Sequence, residues 1–271
     1  MIALKIGFLI TARLKSSRLP LKIIKDLNGK TVIERIIDRA KDIQGISEIV
    51  LCTSSNPQDK PLINIAKKNN ISYFLGDEDD VLQRLFDASI LHDLDYFLGI
   101  TADNPLFSIR YSNLIIEEIK KGEHDFIKIR GLPFGTATYG MNTKALETVC
   151  KIKTIIDTEI WGYLIDKPDI FDVITIKATG KLQRPKLRLT LDYEEDYKLL
   201  NHVYTNIPFV TTLDLEKVID YLNDHPEVAK INEGCIQLDL GNDIKERINT
   251  NYIDNFKKIM KIKQDIYCRR K

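Results

Sequence analysis

The feature that most constrains the fold is an alternation between short apolar runs and longer segments of helical period. The short runs are rich in β-branched residues, and the longer segments repeat apolar residues on one helical face. This alternation predicts an α/β fold with a mostly parallel, Rossmann-like sheet flanked by helices. The predicted strands are Lys5–Thr11, Glu48–Thr53, Ser72–Leu75, Tyr96–Thr101, Phe126–Ile129 and Leu187–Leu191.

The predicted helices lie between these strands and beyond the last of them. Pro61 suits the first turn of one helix, and Asp79 or Asp80 is expected to cap the next. The end of the chain is α-rich and carries Pro208 and Pro226 as helix breaks. The predicted helices are Val32–Lys41, Pro61–Asn69, Asp80–His92, Arg110–Lys121, Glu194–Tyr204, Thr212–Asn223 and Ile253–Ile262.

The length of the chain limits its domain organisation, and its net charge limits its possible partners. A chain of 271 residues fits one α/β domain with a small appendage. We therefore divide it into an α/β domain of residues 1–205 and a helical C-terminal extension of residues 206–271. Forty basic residues against 39 acidic ones give a net charge of +1, so the chain lacks the global field that gathers nucleic acid or an anionic membrane. Any anion site must be local.

Cysteine spacing and the N-terminal residues predict a cytoplasmic protein. The apolar run in Met1–Ile10 is short, contains Lys5 and has no small-residue cleavage site, so it resembles a buried strand more than a signal peptide or anchor. The cysteines are far apart and show no CxxC spacing, which predicts reduced thiols. They are Cys52, Cys150, Cys235 and Cys268.

The segment Thr11–Lys22, directly after the first predicted strand, is the strongest candidate for a ligand site. It contains the cations Arg13, Lys15, Arg18 and Lys22. Ligands of open parallel sheets bind beyond the carboxyl ends of the strands, where these cations can surround a triphosphate. The alternative is an ordinary solvated basic loop. The segment matches neither a P-loop nor a Gly-x-Gly-x-x-Gly dinucleotide motif.

Two aspartates follow predicted strands and are candidate metal ligands. Asp103 comes after the strand ending at Thr101, and Asp192 comes after the strand ending at Leu191. Mg²⁺ usually takes one or two carboxylates together with substrate phosphates, so the pair is suited to it. The alternatives are a turn or helix cap at Asp103, and at Asp192 a helix N-cap with Glu195 as its capping-box partner.

These segments together resemble a known enzyme family. Ile10–Arg13, Ser17–Pro20 with Lys22, and Leu27–Lys30 resemble the opening of the cytidylyltransferases that activate sugars. This group includes CMP-Kdo synthetase and acylneuraminate cytidylyltransferase, and the resemblance is greatest to the SpsF-like branch. Asp103–Leu106 and Arg188–Asp196 resemble the two family segments whose paired aspartates ligate the metal. The resemblance implies a fold of the nucleotide-diphospho-sugar transferase type.

The resemblance also implies a role for individual residues. The first loop wraps the nucleotide, and the backbone near Ala12 and Arg13 contacts the base. Arg13, Arg18 and Lys22 are the expected catalytic residues, and Asp103 and Asp192 the expected Mg²⁺ ligands. The expected nucleotide-binding residues are Thr11, Ala12, Lys15, Ser17, Thr53, Asp80, Arg84 and Thr101.

Two middle segments also match family turns. Cys52–Asp59 follows the second predicted strand, and Gly76–Arg84 matches a Gly-x-x-x-Asp-Val-Leu-x-Arg segment. We expect Asp80 or Arg84 to act near the base or ribose, because an acidic cluster beside a polyanion needs cations or metal to offset it. The alternative is an ordinary polar loop followed by a helix cap.

Two later segments concern the acceptor and the oligomer. Phe134–Met141 falls where the family contacts its acceptor, or else forms a hairpin that packs its aromatic residues in the core. Ile156–Gly162 departs from the Arg-Glu-His-Val-Thr of SpsF-like sequences, which predicts a changed acceptor. The family is commonly dimeric, and Trp161–Phe171 is the expected homodimer contact.

The sequence therefore predicts a Mg²⁺-dependent cytidylyltransferase. It would transfer CMP from CTP to a sugar acid or a related small acceptor of surface-glycan biosynthesis and release pyrophosphate. One alternative within the same fold is a nucleotidyltransferase that uses another nucleoside triphosphate or a sugar-phosphate acceptor. A second alternative, from another class, is a catalytically silent nucleotide-binding scaffold.

Overall fold

A seven-stranded sheet forms the centre of the computed structural model, which describes residues 4–269. Residues 1–3 of the predicted N-terminal strand region lie outside the described residues. The strands stand in the order β3-β2-β1-β4-β6-β5-β7. They are β1 (Ile6–Thr11), β2 (Glu48–Ser54), β3 (Ser72–Gly76), β4 (Tyr96–Thr101), β5 (Phe126–Arg130), β6 (Tyr139–Asn142) and β7 (Val173–Lys177).

The helices cover both faces of the sheet. The first of them, α1, has the predicted bounds, and Pro61 and Asp80 lie at the predicted first turn and N-cap of α2 and α3. The helices are α1 (Val32–Lys41), α2 (Lys60–Lys68), α3 (Val81–Leu91), α4 (Ile109–Lys121), α5 (Thr143–Ile152), α6 (Gly162–Ile165), α7 (Glu194–Asn206), α8 (Leu215–Asp224), α9 (Pro226–Ala229), α10 (Asn242–Asp254) and α11 (Phe256–Tyr267).

The predicted mostly parallel α/β sheet is confirmed. β1 pairs in parallel with β2 and β4, β2 with β3, and β5 with β7, whereas β6 runs antiparallel to β4 and β5. Phe8 and Ile10 of β1 pack into the core on one face of the sheet, and Leu9 packs into the core on the other. Burial on both faces explains why this strand is a continuous apolar run.

The predicted strand Leu187–Leu191 is wrong, because only Arg188 within it forms a β-bridge. Its one bridge pairs Arg188 with Phe134, a loop residue. Further along, the Leu191 N–H donates to the Asp103 carbonyl at 2.9 Å. The backbone groups of this segment therefore bond to two loops rather than to a neighbouring strand, which a local apolar pattern does not reveal.

Other boundaries differ for reasons of tertiary packing. The predicted helix Ile253–Ile262 is divided at Asn255 between α10 and α11. β7, α6, α9 and α5 were among the elements that were not predicted. The last of these begins at an N-cap, Asn142, whose side chain accepts from the Lys144 N–H at 2.8 Å, a signal that was present in the sequence.

The α-rich C-terminal region is confirmed, but it packs at two separate places. α9 contacts α7, whereas α11 contacts α5. The division at residue 205 stays a prediction. Of the predicted dimer contact, Leu164 and Phe171 are buried within the chain itself, and the Tyr252 hydroxyl of α10 donates to the Leu164 carbonyl at 3.0 Å. Among residues 4–269, no helix is long and apolar enough to cross a lipid bilayer.

Candidate active site

The loop after β1, residues 12–22, is fixed by backbone bonds and buried leucines. The Ala12 N–H donates to the Cys52 carbonyl of β2 at 3.0 Å, and the Leu14 N–H donates to the Asp59 carboxylate at 2.7 Å. Leu14 and Leu19 are buried. Because the leucines enter the core, the cations of the loop are held beyond the carboxyl end of β1, where ligands of such sheets bind.

Lys22 lies between two carboxylates from distant parts of the chain. Its Nζ donates to Asp103 Oδ2 at 2.6 Å and to Asp192 Oδ1 at 2.8 Å. Arg18 Nη2 donates to the same Asp192 oxygen at 2.8 Å, and its guanidinium lies over the Tyr193 ring at 5.1 Å from the centroid. We call Arg18, Lys22, Asp103 and Asp192 the inner cluster.

Asp103 is oriented by the residues around it at the end of β4. The Thr101 hydroxyl donates to Asp103 Oδ1 at 2.6 Å, and Asn104 Nδ2 donates to the same oxygen at 3.0 Å. These bonds leave Oδ2 for Lys22. Thr101, a predicted nucleotide contact, therefore reaches the inner cluster through Asp103.

The charges of the inner cluster reinforce one another. Burial alone would lower the pKa of Lys22, but Asp103 and Asp192 outweigh it, and that pKa is raised. Burial would likewise raise the pKa of Asp192, but Lys22, Arg18 and Arg188 outweigh it, and that pKa is lowered. Lys22 is therefore a cation and Asp192 an anion at neutral pH, as phosphate and metal binding require.

The alternative role of Asp192 as a helix N-cap is wrong. α7 begins at Glu194 with Tyr193 as its N-cap residue. The Asp192 and Tyr193 N–H groups donate to Asp196 Oδ2 at 2.8 and 3.0 Å. Asp196 rather than Glu195 thus binds the first free amides, and the Asp192 side chain is directed to the inner cluster.

A second group of ion pairs surrounds the other end of the loop. Arg13 Nη1 donates to the Glu78 carbonyl at 2.6 Å, and the guanidinium lies 3.3 Å from Asp79 and 3.4 Å from Glu159. Lys15 Nζ lies 3.4 Å from the Glu78 carboxylate. We call Arg13, Lys15, Glu78, Asp79 and Glu159 the outer cluster.

Three predicted nucleotide-binding residues are buried behind the outer cluster. Asp80 accepts from the Gln83 N–H at 3.1 Å and from the Thr158 hydroxyl at 3.0 Å, and it also pairs with Lys153. Arg84 is fully buried and donates to the Asp77 and Glu78 carbonyls. Thr53 is fully buried as well. Arg84 therefore supports the 77–79 turn, and the predicted contact of all three residues with the nucleotide stays a prediction.

The remaining loop residues lie at the same edge of the sheet. Thr11 is the last residue of β1 and stands in register with Cys52 of β2 and Thr101 of β4. Ser17 is exposed. Both positions suit contact with a ligand above the sheet.

Phe134–Met141 divides into two parts with different surroundings. Tyr139 belongs to β6 and packs against Trp161, with ring centroids 4.6 Å apart, as the hairpin alternative predicted. Phe134 is partly exposed beneath the Arg188 guanidinium, 5.4 Å from the ring centroid. At Gly135, φ is +87° and an added Cβ would lie 2.6 Å from the Thr190 amide nitrogen, so only glycine fits. Only the first part of the segment borders the inner cluster.

Sequence reasoning missed four residues that support Asp192. Arg188 Nη2 donates to Asp192 Oδ2 at 2.9 Å. Arg188 and Asp196 are the first and last residues of the segment Arg188–Asp196, which resembles a family motif. Their position in that motif was the signal from which their roles could have been inferred. Asn232 and Gln237, which contact Arg188, lie in a region without a recognisable motif.

Comparison with known proteins agrees with this arrangement. A family model described as cytidylyltransferase matches residues 8–199. The spore coat polysaccharide biosynthesis protein SpsF of Bacillus subtilis is 24% identical over 233 residues, which are 83% of this chain and 97% of SpsF. A 3-deoxy-manno-octulosonate cytidylyltransferase of Christiangramia forsetii is 31% identical over 101 residues, 37% of this chain and 40% of that protein.

A solved structure gives the same result for the fold. A cytidylyltransferase from Leptospira borgpetersenii superposes with a TM-score of 0.78 at 24% identity, over 88% of this chain and 100% of that one. The family model covers well over half of the chain and includes most of β1, its loop, Asp103 and Asp192. The chain belongs to the cytidylyltransferase family.

Proposed function

We propose that the protein transfers CMP from CTP to a sugar acid or a related small acceptor of surface-glycan biosynthesis, with Mg²⁺, and releases pyrophosphate. The observation that carries this proposal is the inner cluster. There Lys22 bonds at once to Asp103 and Asp192, which are 89 residues apart in sequence. Cations and carboxylates that meet at the carboxyl ends of parallel strands suit a polyphosphate and its divalent ion.

The carboxylates of the inner cluster fit Mg²⁺ rather than a metal held by the protein alone. Within the described residues no group of three or more His, Cys, Asp and Glu side chains could hold a metal. Asp103 and Asp192 provide two carboxylates, the number that Mg²⁺ usually takes when substrate phosphates complete its ligands. When bound there, the ion would neutralise phosphate charge and polarise phosphoryl oxygens.

The chain's own cations would do the remaining work. An acceptor oxygen attacks the α-phosphorus of CTP, the bond to the β-phosphate oxygen breaks, and pyrophosphate leaves while the acceptor hydroxyl proton passes to solvent. Lys22 and Arg18 would neutralise the charge that develops at this centre. Arg13, first expected to be catalytic, lies in the outer cluster rather than beside Lys22, so it would hold the outer phosphates together with Lys15 and Ser17. The backbone at Ala12 would contact the base.

Pyrophosphate release tests the proposal directly. The protein is incubated with Mg²⁺, a pool of 2-keto sugar acids and sugar phosphates, and CTP, GTP, UTP or ATP in separate reactions. We expect release with CTP and a new CMP adduct by mass spectrometry. Release with another triphosphate instead would favour the alternative nucleotidyltransferase, and binding of nucleotide without release would favour the silent scaffold.

The homodimer also remains a proposal. The C-terminal helices contact part of the segment expected to form it, because Lys263 of α11 donates to the Ile170 carbonyl at 2.7 Å and Lys167 donates to Asn249 of α10 at 2.7 Å. Gly162, Pro168 and Asp169 of the segment are exposed, and a dimer contact there stays a prediction. Light scattering of the purified protein decides between one and two copies.

A further inference from the structure

A segment C-terminal to the family-matched region contacts the residues that hold Asp192 in place. Residues 232–240, which link α9 to α10 and which we call the strap, follow the end of the family match at residue 199. Gln237 Oε1 accepts from Arg188 Nη1 at 2.9 Å. The Tyr193 hydroxyl donates to the Ile236 carbonyl at 3.0 Å. The strap thus contacts the residues on both sides of Asp192 through specific polar groups.

The strap also holds the buried partner of Arg188. Asn232 is buried, and its Nδ2 donates to the Arg188 carbonyl at 3.1 Å and to Asp196 Oδ1 at 2.7 Å. Asp196 is fully buried and accepts from Arg188 Nε at 2.9 Å and Nη2 at 3.0 Å. This bidentate pair, closed by Asn232, fixes the plane of the guanidinium.

The guanidinium in turn fixes the rotation of the Asp192 carboxylate. Arg188 Nη2 donates to Asp192 Oδ2 at 2.9 Å, whereas Oδ1 faces Lys22 and Arg18, each at 2.8 Å. Asp192 Oδ2 therefore bonds to Arg188, and Oδ1 is directed to Lys22 and Arg18. A small rotation of Arg188 would exchange these roles, and positioning errors of this size are enough to slow catalysis.

We propose that Gln237 of the strap is a positioning residue, acting through Arg188 to keep Asp192 Oδ1 directed at Lys22. The inference rests on the proposed function, because it assigns Gln237 to the same phosphoryl-transfer site. Gln237 is exposed, so its side chain can be changed with little effect on stability. The structure thereby separates this role from a contribution to folding.

Three variants of the full-length chain test the proposal. Gln237→Met keeps the length of the side chain and removes the acceptor for Arg188, and we expect kcat to fall about tenfold while KM for CTP stays within about twofold. Gln237→Glu keeps an acceptor and should retain most of kcat. Leu238→Ala, in the same strap, is the matched control and should behave as wild type, because its backbone carbonyl is retained.

Hydrogen exchange of the 188–196 amides gives a readout that needs no activity. The Asp192 and Tyr193 N–H groups donate to Asp196, so they should exchange several-fold faster in Gln237→Met than in Leu238→Ala. If wild type releases no pyrophosphate with any triphosphate, the proposed function fails, and this comparison alone decides whether the strap holds the network. Wild-type kcat and unchanged exchange in Gln237→Met would overturn the inference, and so would a raised KM with unchanged kcat.

Discussion

The two ends of the first loop carry the same kinds of charge in opposite surroundings. In the inner cluster the carboxylates that pair with Lys22 are enclosed. The side chain of Asp103 is 20% exposed, and that of Asp192 is 7% exposed. In the outer cluster the carboxylates that face Arg13 are 61% exposed at Asp79 and 70% exposed at Glu159. The loop therefore joins a partly desolvated centre to ion pairs whose carboxylates are open to solvent, although the Arg13 side chain itself is only 13% exposed.

From this difference we expect catalysis and binding to be separated along one loop. Ion pairs in water are worth about 0 to 1 kcal/mol, so an incoming triphosphate can displace the partners of Arg13 and Lys15 at little cost. The inner pairs are shorter, share one lysine and are held by Thr101, Asn104 and Arg188. We expect changes in the inner cluster to act on kcat and changes in the outer cluster to act on KM.

The largest expected effect is that of Lys22→Ala. Removing the cation between Asp103 and Asp192 should lower kcat by about a hundredfold or more, as measured by pyrophosphate release, because leaving-group charge is no longer neutralised. Circular dichroism should show the fold retained. Lys25→Ala is a suitable control, since Lys25 pairs with Glu194 at 3.6 Å rather than with the inner cluster. Normal turnover in Lys22→Ala would remove this residue from the mechanism.

The second prediction concerns stability and its dependence on pH. The pKa of Asp192 is lowered in the folded protein because Lys22, Arg18 and Arg188 outweigh burial. Asp192 therefore stabilises the fold above its unfolded pKa of about 3.9, and this contribution is lost as pH falls through the folded pKa. Asp192→Asn should lower the free energy of unfolding by about 2 kcal/mol at pH 7, and the difference from wild type should shrink at pH 3.

Urea unfolding of both proteins at the two pH values measures this difference. Asp79→Asn is the matched control from the outer cluster and should change the free energy of unfolding by less than about 0.5 kcal/mol, because its side chain is 61% exposed. An equal loss in Asp192→Asn at pH 7 and pH 3 would show that the contribution of Asp192 is not electrostatic.

The third prediction moves to Arg13. Arg13→Ala removes a guanidinium that we expect to bind the triphosphate, and it should raise KM for CTP about tenfold, or about 1.4 kcal/mol, with kcat changed less than about threefold. Initial rates over a range of CTP concentrations separate the two constants. A fall in kcat with unchanged KM would contradict the division between the two clusters.

The sequence reveals one cluster more fully than the other. Lys22 ends the loop that leaves one apolar run, and Asp103 and Asp192 each closely follow another. The tendency of strand ends to meet at one edge predicts their approach even though the last run is not a strand. The partners of Arg13 were not predicted. Glu159 lies 146 residues away in sequence and reaches Arg13 only because Thr158 is anchored to Asp80 and to the Leu82 N–H. Contacts that depend on the docking of two loops leave no local signal.

Glu159 belongs to the segment Ile156–Gly162, which departs from SpsF-like sequences. The contact of Glu159 with Arg13 gives that departure a testable consequence. Glu159→Gln should free Arg13 for the triphosphate and lower KM for CTP by about two- to fivefold, the range of an exposed ion pair, with kcat unchanged. Glu118→Gln, which alters an exposed pair within α4, is the control.

A double-mutant cycle sharpens this last test. In the Arg13→Ala background, Glu159→Gln should have no further effect on KM, because the cation that it frees is absent. The gain in the wild-type background should also diminish in 1 M salt, where the Debye length is about 3 Å. A rise in KM in Glu159→Gln would instead mean that the carboxylate contacts the substrate, and the outer cluster would then be a recognition surface rather than a set of displaceable pairs.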